Sequence, residues 1–392
     1  MIPRTKVNYN LRDLLEAVFV GERSKERRQR LASRLGELLG TPHVLLMPSG
    51  RAGLYFLLKS IARPRVIVPA YTCKAVVEAA RMAGKEVLFF ENEGPGFNGS
   101  PARDEGLINE QSVVIATHQF GIPCDIEGIC ALAKARNGLV IEDAAASLGT
   151  RVAGRLAGTF GAAAFFSFDS TKLVNVPMKG GAVVTGDRDL FERVLRCYEA
   201  ETGPMPLPIK IKCLAKAAIL VLLEHHLLYR LFHLLYFQAR ARFTDDSPAL
   251  KLEKDEFYRY GLAEWQAGIA LKQFAALHEI VAQRRSLYAQ YRERLSTCNS
   301  FGLPPEDENR EWACIRFPIR VSGDKMSFYR QAVRRGLDFA FSFTFLGCPE
   351  HFTQARALAS HVLDLPFYTK LSPGEVDRVV TVLRELDSQA NS

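Results

Sequence analysis

Residues 138–149 read GLVIEDAAASLG, an unbroken apolar run that ends on two acids and a series of small residues. An apolar run without alternation predicts a strand that is buried on both faces, as in a parallel sheet covered by helices. Ligands of such sheets bind beyond the carboxyl ends of the strands. Glu142 and Asp143 are therefore expected at a ligand-binding edge, where an ionised carboxylate needs a cation or hydrogen-bond donors. By itself, an isolated pair of this kind is more often a helix cap or a surface acid.

Strand-like and helical patterns alternate on both sides of this stretch, from about residue 40 to residue 190. Strands are predicted at HVLLM, RVIVPA, EVLFFE, SVVIATH, GLVIEDA, AAAFFSF and GGAVVTG, with helices beginning near Ser49, Lys74 and Asp125. This order predicts an α/β fold whose mainly parallel sheet is covered by helices on both faces. The loops that follow the strands, SGRA, YTC, HQFG, EDAA and SFDSTK, are the candidate site loops.

One lysine lies in the loop after the strand AAAFFSF, where residues 165–181 read FFSFDSTKLVNVPMKGG. A buried ammonium group is costly unless it is paired, neutralised or used chemically. Lys172 therefore either reaches solvent or acts as a nucleophile. A lysine that forms a Schiff base and a carboxylate that protonates a pyridine nitrogen are what pyridoxal phosphate chemistry requires. Lys172 and Asp143 belong to successive strands and can converge, and the alanines after Asp143 leave room for a planar ring.

The phosphate of such a cofactor needs hydrogen-bond donors, and the segment MPSGRAGLYFLL offers them at the start of a predicted helix. Free N–H groups and the helix dipole favour an anion at that position. The donors there are Ser49, Gly50, Arg51 and Ala52. Ser167 and Thr171, beside the lysine, add hydroxyls. Taken alone, the SGRA segment is equally consistent with a simple helix cap.

Composition limits the other classes of function. The length of 392 residues and the 48% hydrophobic content suit a large domain with a smaller second one. The net charge of +8 is moderate for a chain of this length. Because no basic run alternates with aromatic residues, nucleic-acid binding is not expected. The eight cysteines are scattered without a CxxC pair and the histidines lack ligand spacing, so we expect free thiols and no metal site. The first residues lack an apolar secretion signal, and the expected location is the cytoplasm.

The order and spacing of the motifs resemble the DegT/StrS family of pyridoxal-phosphate-dependent sugar aminotransferases, which share fold type I with aspartate aminotransferase. The resemblance covers about residues 30–385. It rests on PSGRAGLYFLL, VPAYTCKAVVEAA, HQFGIPCDI, VIEDAAASLG, SFDSTK followed by GGAVVTG, LAEWQAGIALKQF and DLPFYTKLSPGEVDRVV. It implies a large domain over residues 1–255, then a bridging helix and a smaller C-terminal α+β domain over residues 256–392.

The sequence of this second part fits that division. A helical periodicity from Leu262 to about Leu295 suits a bridging helix. The strand-like segments CIRFPIRV and FAFSFTFL, with a closing helix from Pro373 that Ser372 caps, suit a small α+β domain.

The resemblance also implies residue roles and partners. It makes Lys172 the Schiff-base lysine, Asp143 the partner of the pyridine nitrogen, and Ser167 with the amides of Arg51 and Ala52 the phosphate ligands. It implies transfer of an amino group from an amino acid, most often glutamate, to a keto sugar, expected to be nucleotide-linked, for polysaccharide or amino-sugar biosynthesis. Since fold type I enzymes generally complete each site with a second subunit, a homodimer is expected.

Four positions around the expected cofactor depart from the family's pattern. Cys73 stands where an aromatic residue normally stacks on the ring, and Ala146 stands where a glutamine is usual. Arg51 replaces a threonine and Lys179 replaces an acid. Tyr71 or His118 could take over the stacking.

These departures, together with the missing asparagine and arginine upstream of WQAG, keep a second class of function open. The chain could be a cofactor-binding protein that has lost turnover and serves as a regulator or assembly partner. The family's dehydratases carry histidine in place of the Schiff-base lysine, so Lys172 disfavours that activity.

Residues 204–243 interrupt the pattern with an unusually apolar helical segment, PMPLPIKIKCLAKAAILVLLEHHLLYRLFHLLYFQARARF. Lys216, Glu224 and Arg230 keep its uncharged runs below the roughly 18 residues that a spanning helix needs. Two expectations remain open. The segment packs on its own domain or on a dimer partner, or its helices contact a membrane surface through residues 209–239.

Overall fold

The computed structural model describes residues 1–20, 26–92, 96–240, 250–309, 311–344 and 347–390. Its helices are α1 (Leu11–Val18), α2 (Glu26–Leu39), α3 (Gly50–Lys59), α4 (Lys74–Met82), α5 (Ile126–Ala135), α6 (Arg188–Glu201), α7 (Leu207–Leu222), α8 (His226–Arg240), α9 (Glu256–Arg259), α10 (Glu264–Ala275), α11 (Leu277–Leu295), α12 (Lys325–Arg334), α13 (Thr353–His361) and α14 (Pro373–Ala390). Its strands are β1 (Val44–Met47), β2 (Arg65–Pro69), β3 (Glu86–Phe90), β4 (Ser112–Thr117), β5 (Leu139–Asp143), β6 (Arg151–Val152), β7 (Arg155–Leu156), β8 (Ala163–Ser167), β9 (Gly181–Thr185), β10 (Phe301–Gly302), β11 (Phe317–Val321) and β12 (Val362–Leu365).

The main sheet has seven strands in the order β1-β9-β8-β5-β4-β2-β3, and β9 alone among them runs antiparallel to its neighbours. All seven strands lie where the sequence predicts them. The sheet is covered on both faces, because adjacent residues of β5 enter different apolar clusters. Ile141 packs with side chains of α3 and α4, and Val140 packs with side chains of α5. This confirms the predicted α/β class.

A second, antiparallel sheet, β10-β11-β12, forms the smaller α+β unit with the helices near the C-terminus. The start of the chain joins this unit, since Ile2 pairs with Leu337 and the Ile2 N–H donates to the Gly336 carbonyl at 2.8 Å. The division of the chain at residues 255 and 256 stays a prediction.

The predicted strand FAFSFTFL is wrong over its described part. Only Ala340 pairs there, through a bridge to Asp364, and residues 341–344 are irregular. Phe343 has a φ of 53°, which interrupts an extended strand, and residues 341–343 line a cavity instead. β12 takes the place beside β11, and residues 345–346 lie outside the described residues.

The predicted bridging helix is broken into two. Ala276, with φ −101° and ψ 15°, separates α10 from α11. α10 packs chiefly against α2, whereas α11 also packs against α14. The two halves therefore follow different parts of the molecule, and the break lets the chain change direction between them.

The segment after α6 is helical as predicted, as α7 and α8; residues 241–243 of the predicted insertion lie outside the described part. α7 packs against α1 and the Trp265 side of α10. Among the described helices, none has the length and apolarity needed to cross a bilayer.

Asp338 ties three distant parts of the chain together. Its buried carboxylate accepts hydrogen bonds from Arg4 (2.6 and 3.0 Å), from Tyr229 of α8 and from Tyr329 of α12 (2.9 Å), and His233 of α8 lies 3.6 Å away. Burial opposes ionisation, but the contacts with His233, Arg4 and Tyr229 hold the pKa of Asp338 below its usual value.

Replacing Asp338 with Ala leaves the partly buried Arg4 guanidinium and two hydroxyls without their partner. We expect a loss of about 3–5 kcal/mol in the free energy of unfolding, measured by urea denaturation. The exposed Asp189→Ala control should change it by less than about 1 kcal/mol. Because the folded-state pKa of Asp338 is lowered, its contribution is complete above about pH 4 and is lost as the pH falls through that pKa. An Asp338→Ala protein as stable as the Asp189→Ala control would contradict this account.

Candidate active site

A cavity of about 350 Å³ lies at the carboxyl ends of the parallel strands. The strand register brings their last residues together, since Thr117 of β4 is opposite Asp143 of β5, and Asp143 is opposite Phe165 of β8. Nine of the ten predicted site residues line this cavity: Ser49, Gly50, Arg51, Cys73, His118, Asp143, Ala146, Ser167 and Lys172. The tenth, Ala52, is fully buried in α3 outside the lining, and its N–H donates to Ser49 Oγ at 3.2 Å.

Asp143 is buried at the end of β5, with one carboxylate oxygen held by the chain. Its Oδ1 accepts the Ala145 N–H at 3.1 Å, and its Oδ2 has no hydrogen bond to any described residue. Burial raises the pKa of Asp143, although the positive charge of Lys172 and the Ala145 N–H act in the opposite direction. A cation or a donor placed at Oδ2 would therefore be held strongly.

Lys172 reaches the same cavity from a loop that is fixed at several points. Its N–H donates to the Asp169 carbonyl at 2.9 Å, and its own carbonyl accepts from Asn175 Nδ2 at 3.0 Å. Asn175 is fixed in turn by the Asn8 N–H (2.9 Å) and by Gln273 of α10. Burial lowers the pKa of Lys172, with Asp143 opposing the shift. The neutral, nucleophilic amine is therefore more available than in an ordinary lysine.

Close backbone contacts set the N-terminus of α3 against the ends of β8 and β9. A Cβ on Gly50 would lie 2.9 Å from the Ser167 Cβ, and one on Gly181 would lie 2.6 Å from the Phe166 oxygen and 2.7 Å from the Gly50 nitrogen. Only glycine allows this approach. Ser49 caps the helix, and Ser167 lies against Gly50 at its first turn, where the amides and the positive end of the dipole favour an anion.

Two further cations line the cavity near this helix. The Arg51 guanidinium lies 3.8 Å from the Asp255 carboxylate, and Lys179 Nζ lies over the Phe257 ring, 4.9 Å from its centre. Burial and the charge of Arg51 lower the pKa of Lys179. An anion bound among these groups would relieve their repulsion.

His118 is fixed behind Asp143 by a network of buried polar groups. Its Nε2 lies 3.2 Å from Glu142 and its Nδ1 accepts the Cys124 N–H at 3.3 Å. Burial alone would lower the pKa of His118, whereas the contacts with Cys124 and Glu142 act in the opposite direction. Glu142 also accepts the amides of Gly158, Phe160 and Gly161 at 2.5–2.8 Å, so this acid serves the fold rather than the cavity.

Of the two candidate replacements for the missing aromatic residue, only His118 lines the cavity. Tyr71 is buried outside the cavity lining. Its hydroxyl donates to the Ser342 carbonyl at 3.3 Å, and its ring packs edge-on against the Phe343 ring with the centroids 5.5 Å apart. Tyr71 therefore shapes the cavity wall without reaching the cavity.

The structure adds lining residues that the sequence did not single out. The Thr117 hydroxyl is buried and has no hydrogen-bond partner among the described residues. Arg316 enters the cavity from the small α+β unit, where it pairs with Asp364 at 3.0 Å. The position of Thr117, next to the last residue of the predicted strand SVVIATH, was an available signal. The sequence carries no such signal for Arg316, because its place in the cavity lining depends on how the small α+β unit packs against the main sheet.

Comparisons with known proteins define the class to which this chain belongs. The chain matches the model of the DegT/DnrJ/EryC1/StrS aminotransferase family over residues 7–203 and 251–384, and it belongs to that family. It is 31% identical over 171 residues to GDP-perosamine synthase of Escherichia coli O157:H7, a match that covers 43% of this chain and 47% of that protein.

Solved structures share the fold at low sequence identity. The sugar aminotransferase CalS13 of Micromonospora echinospora has a TM-score of 0.75 and 20% identity, covering 98% of this chain and 100% of that one. The sugar aminotransferase Spr1654 of Streptococcus pneumoniae, described as putative and solved in its PLP form, has a TM-score of 0.76 and 15% identity, covering 99% of each chain.

The residues present fit pyridoxal phosphate. Lys172 would offer an amine to the aldehyde, Asp143 would offer a buried carboxylate to the ring nitrogen, and the α3 N-terminus with Ser167 would offer hydrogen-bond donors to the phosphate. The unpartnered hydroxyl of Thr117 needs an acceptor or donor that the described protein does not provide.

Replacing Gly181 with Ala forces the α3 N-terminus away from β8, because the new Cβ would meet backbone atoms. We expect a stability loss of about 1–3 kcal/mol and binding of pyridoxal phosphate that is about tenfold weaker or more, measured by fluorescence titration. Gly186→Ala is the matched control, because nothing lies within 4 Å of its added Cβ. If Gly181→Ala binds the cofactor as tightly as Gly186→Ala, the phosphate does not bind at this helix.

Proposed function

We propose that this protein transfers an amino group from an amino acid, with glutamate as the donor, to a keto sugar that is linked to a nucleotide. The observation that carries the proposal is the convergence of Lys172, Asp143 and an anion-binding helix N-terminus on one cavity, in a member of this aminotransferase family. The name of the E. coli relative, GDP-perosamine synthase, supports a nucleotide-linked sugar. Biosynthesis of a polysaccharide or another amino sugar is the proposed context.

The chain's own groups divide the work. When bound, pyridoxal phosphate supplies an aldehyde carbon and an electron-withdrawing ring that accepts negative charge from the substrate carbon. Lys172 acts as the nucleophile towards the aldehyde carbon. Its free amine then carries a proton between the α-carbon of the amino donor and the former aldehyde carbon of the cofactor. Asp143 would hold a proton on the ring nitrogen, because its Oδ2 accepts no hydrogen bond from any described residue and the side chain lines the cavity.

Positioning falls to the groups around this pair. Ser167 and the first amides of α3 hold the phosphate, and His118 lies against the ring in place of the missing aromatic residue. Arg316 binds a carboxylate of the amino donor, since it brings a fixed positive charge from the small α+β unit.

A second candidate function rests on a specific observation. The four departing positions, Arg51, Cys73, Ala146 and Lys179, all line the cavity. Changed contacts at each of them favour a cofactor-binding protein that has lost turnover and regulates or assembles with others. A homodimer in the cytoplasm is proposed for either function, on the general rule that fold type I sites are completed by a second subunit.

Replacing Lys172 with Ala removes the proposed nucleophile. Borohydride reduction of the wild-type protein with pyridoxal phosphate should fix one cofactor on the peptide that carries Lys172, detected by mass spectrometry. The variant should lose that adduct, and transamination should fall by about 10³-fold or more. Lys179→Ala is the comparison, and it should keep the adduct. An adduct on Lys179, or one that survives in Lys172→Ala, would show that the assignment is wrong.

Glutamate separates the two candidate functions. With the loaded protein, glutamate should be consumed, 2-oxoglutarate released and the cofactor converted to its aminated form, followed by absorbance. A panel of nucleotide-linked keto sugars should then regenerate the starting form and give an amino sugar, identified by mass. Stoichiometric cofactor binding without conversion by glutamate would instead support the second candidate.

A further inference from the structure

Helix α8 lies with its leucines towards solvent. Leu227, Leu228, Leu231, Leu234 and Leu235 recur at helical spacing on one side, and all five are exposed, with Leu227 71% and Leu235 67% exposed. Its inward side carries polar groups, Tyr229 and His233, which contact Asp338. A helix on a water-facing surface normally has the opposite orientation. The burial of polar groups at Asp338 therefore fixes an apolar stripe on the outside.

Helix α7 is apolar on two sides. Cys213 and Ala217 are buried in a cluster with side chains of α1 and α10. The other side exposes Leu207, Ile211, Ile219 and Leu222. We call these four side chains and the five leucines of α8 the insertion face. Helix α1, which packs on α7, adds exposed apolar residues such as Leu15, and Phe19, just after its end, is 87% exposed.

The charge around the insertion face is positive. Residues 207–235 contain four Lys or Arg residues and one acid, Glu224. That acid is engaged by Lys370 at 2.9 Å and by the Val7 N–H at 3.1 Å. Lys216 and Arg230 are exposed next to the apolar stripes and form no ion pair with any described residue.

This combination favours one occupant. An anionic lipid surface offers an acyl boundary for the leucines and negative headgroups for Lys216 and Arg230. A second copy of the same face would bring cations against cations. The family match leaves out residues 204–250, so the insertion face is not part of what the family's members share, as a common subunit interface would be.

We propose that α7 and α8 bind the protein to an anionic lipid bilayer, with both helices parallel to its surface and the insertion face in the headgroup and acyl boundary. Neither helix can cross the bilayer, so the contact is peripheral. The proposal does not depend on the proposed reaction.

Vesicle flotation of the full-length protein tests it. The protein should float with vesicles of phosphatidylcholine and phosphatidylglycerol, less with phosphatidylcholine alone, and less at high salt. The variant Leu231→Glu/Leu235→Glu should have a partition coefficient onto these vesicles that is lower by about tenfold or more, because two charges replace apolar contacts. Lys216→Glu/Arg230→Glu should lose the preference for anionic vesicles.

The control is Leu252→Glu, which places one negative charge on an exposed leucine outside the insertion face and should float like the wild type. Melting temperature and sedimentation should match the wild type in every variant, since the altered side chains are exposed. The proposal is overturned if the wild type does not float with anionic vesicles, or if Leu231→Glu/Leu235→Glu floats as well as Leu252→Glu. A Leu231→Glu/Leu235→Glu protein that dissociates into smaller species would also overturn it, because a second copy would then cover the face.

Discussion

The parallel pairing of β5 with β4 and β8 is the constraint on which the rest of the structure depends. Its register places Thr117 beside Asp143, and Asp143 beside Phe165 of β8. Because successive side chains of a strand point to opposite faces, the neighbouring acids Glu142 and Asp143 of β5 have different surroundings. Glu142 accepts hydrogen bonds from backbone amides and contacts His118. Asp143 lines the cavity, and one of its carboxylate oxygens accepts no hydrogen bond from any described residue. A slip of one residue would exchange these roles and place a structural acid in the cavity.

Electrostatics then explains why the cavity suits an anionic cofactor. Lys172, Lys179, Arg51 and Arg316 converge on it, and burial lowers the pKa of both lysines. Arg316 is paired with Asp364 and Arg51 lies near Asp255, but a phosphate at the α3 N-terminus would place negative charge where the helix dipole already favours it. Burial, by lowering the pKa of Lys172, also makes its neutral amine more available as a nucleophile.

Much of this could be predicted from the sequence, because short-range patterns determine it. Unbroken apolar runs gave the seven strands, and the loops after them gave the cavity with Lys172 and Asp143. The failures depend on long-range contacts. Residues 341–344 look like a strand but are irregular, and residues 341–343 line the cavity. The break at Ala276 separates α10, which packs on α2, from α11, which packs on α14. The orientation of α8 is set by Asp338, more than a hundred residues away, so an apolar sequence alone could not show that its leucines face outward.

The central claim is that Lys172 and Asp143 hold the two reactive ends of one pyridoxal phosphate. A crystal structure of the protein with this cofactor tests it most directly. We expect density joined to Lys172 Nζ, the ring nitrogen within hydrogen-bond distance of Asp143, and the phosphate at the start of α3. A cofactor bound elsewhere, or one whose ring nitrogen lies away from Asp143, would contradict the account.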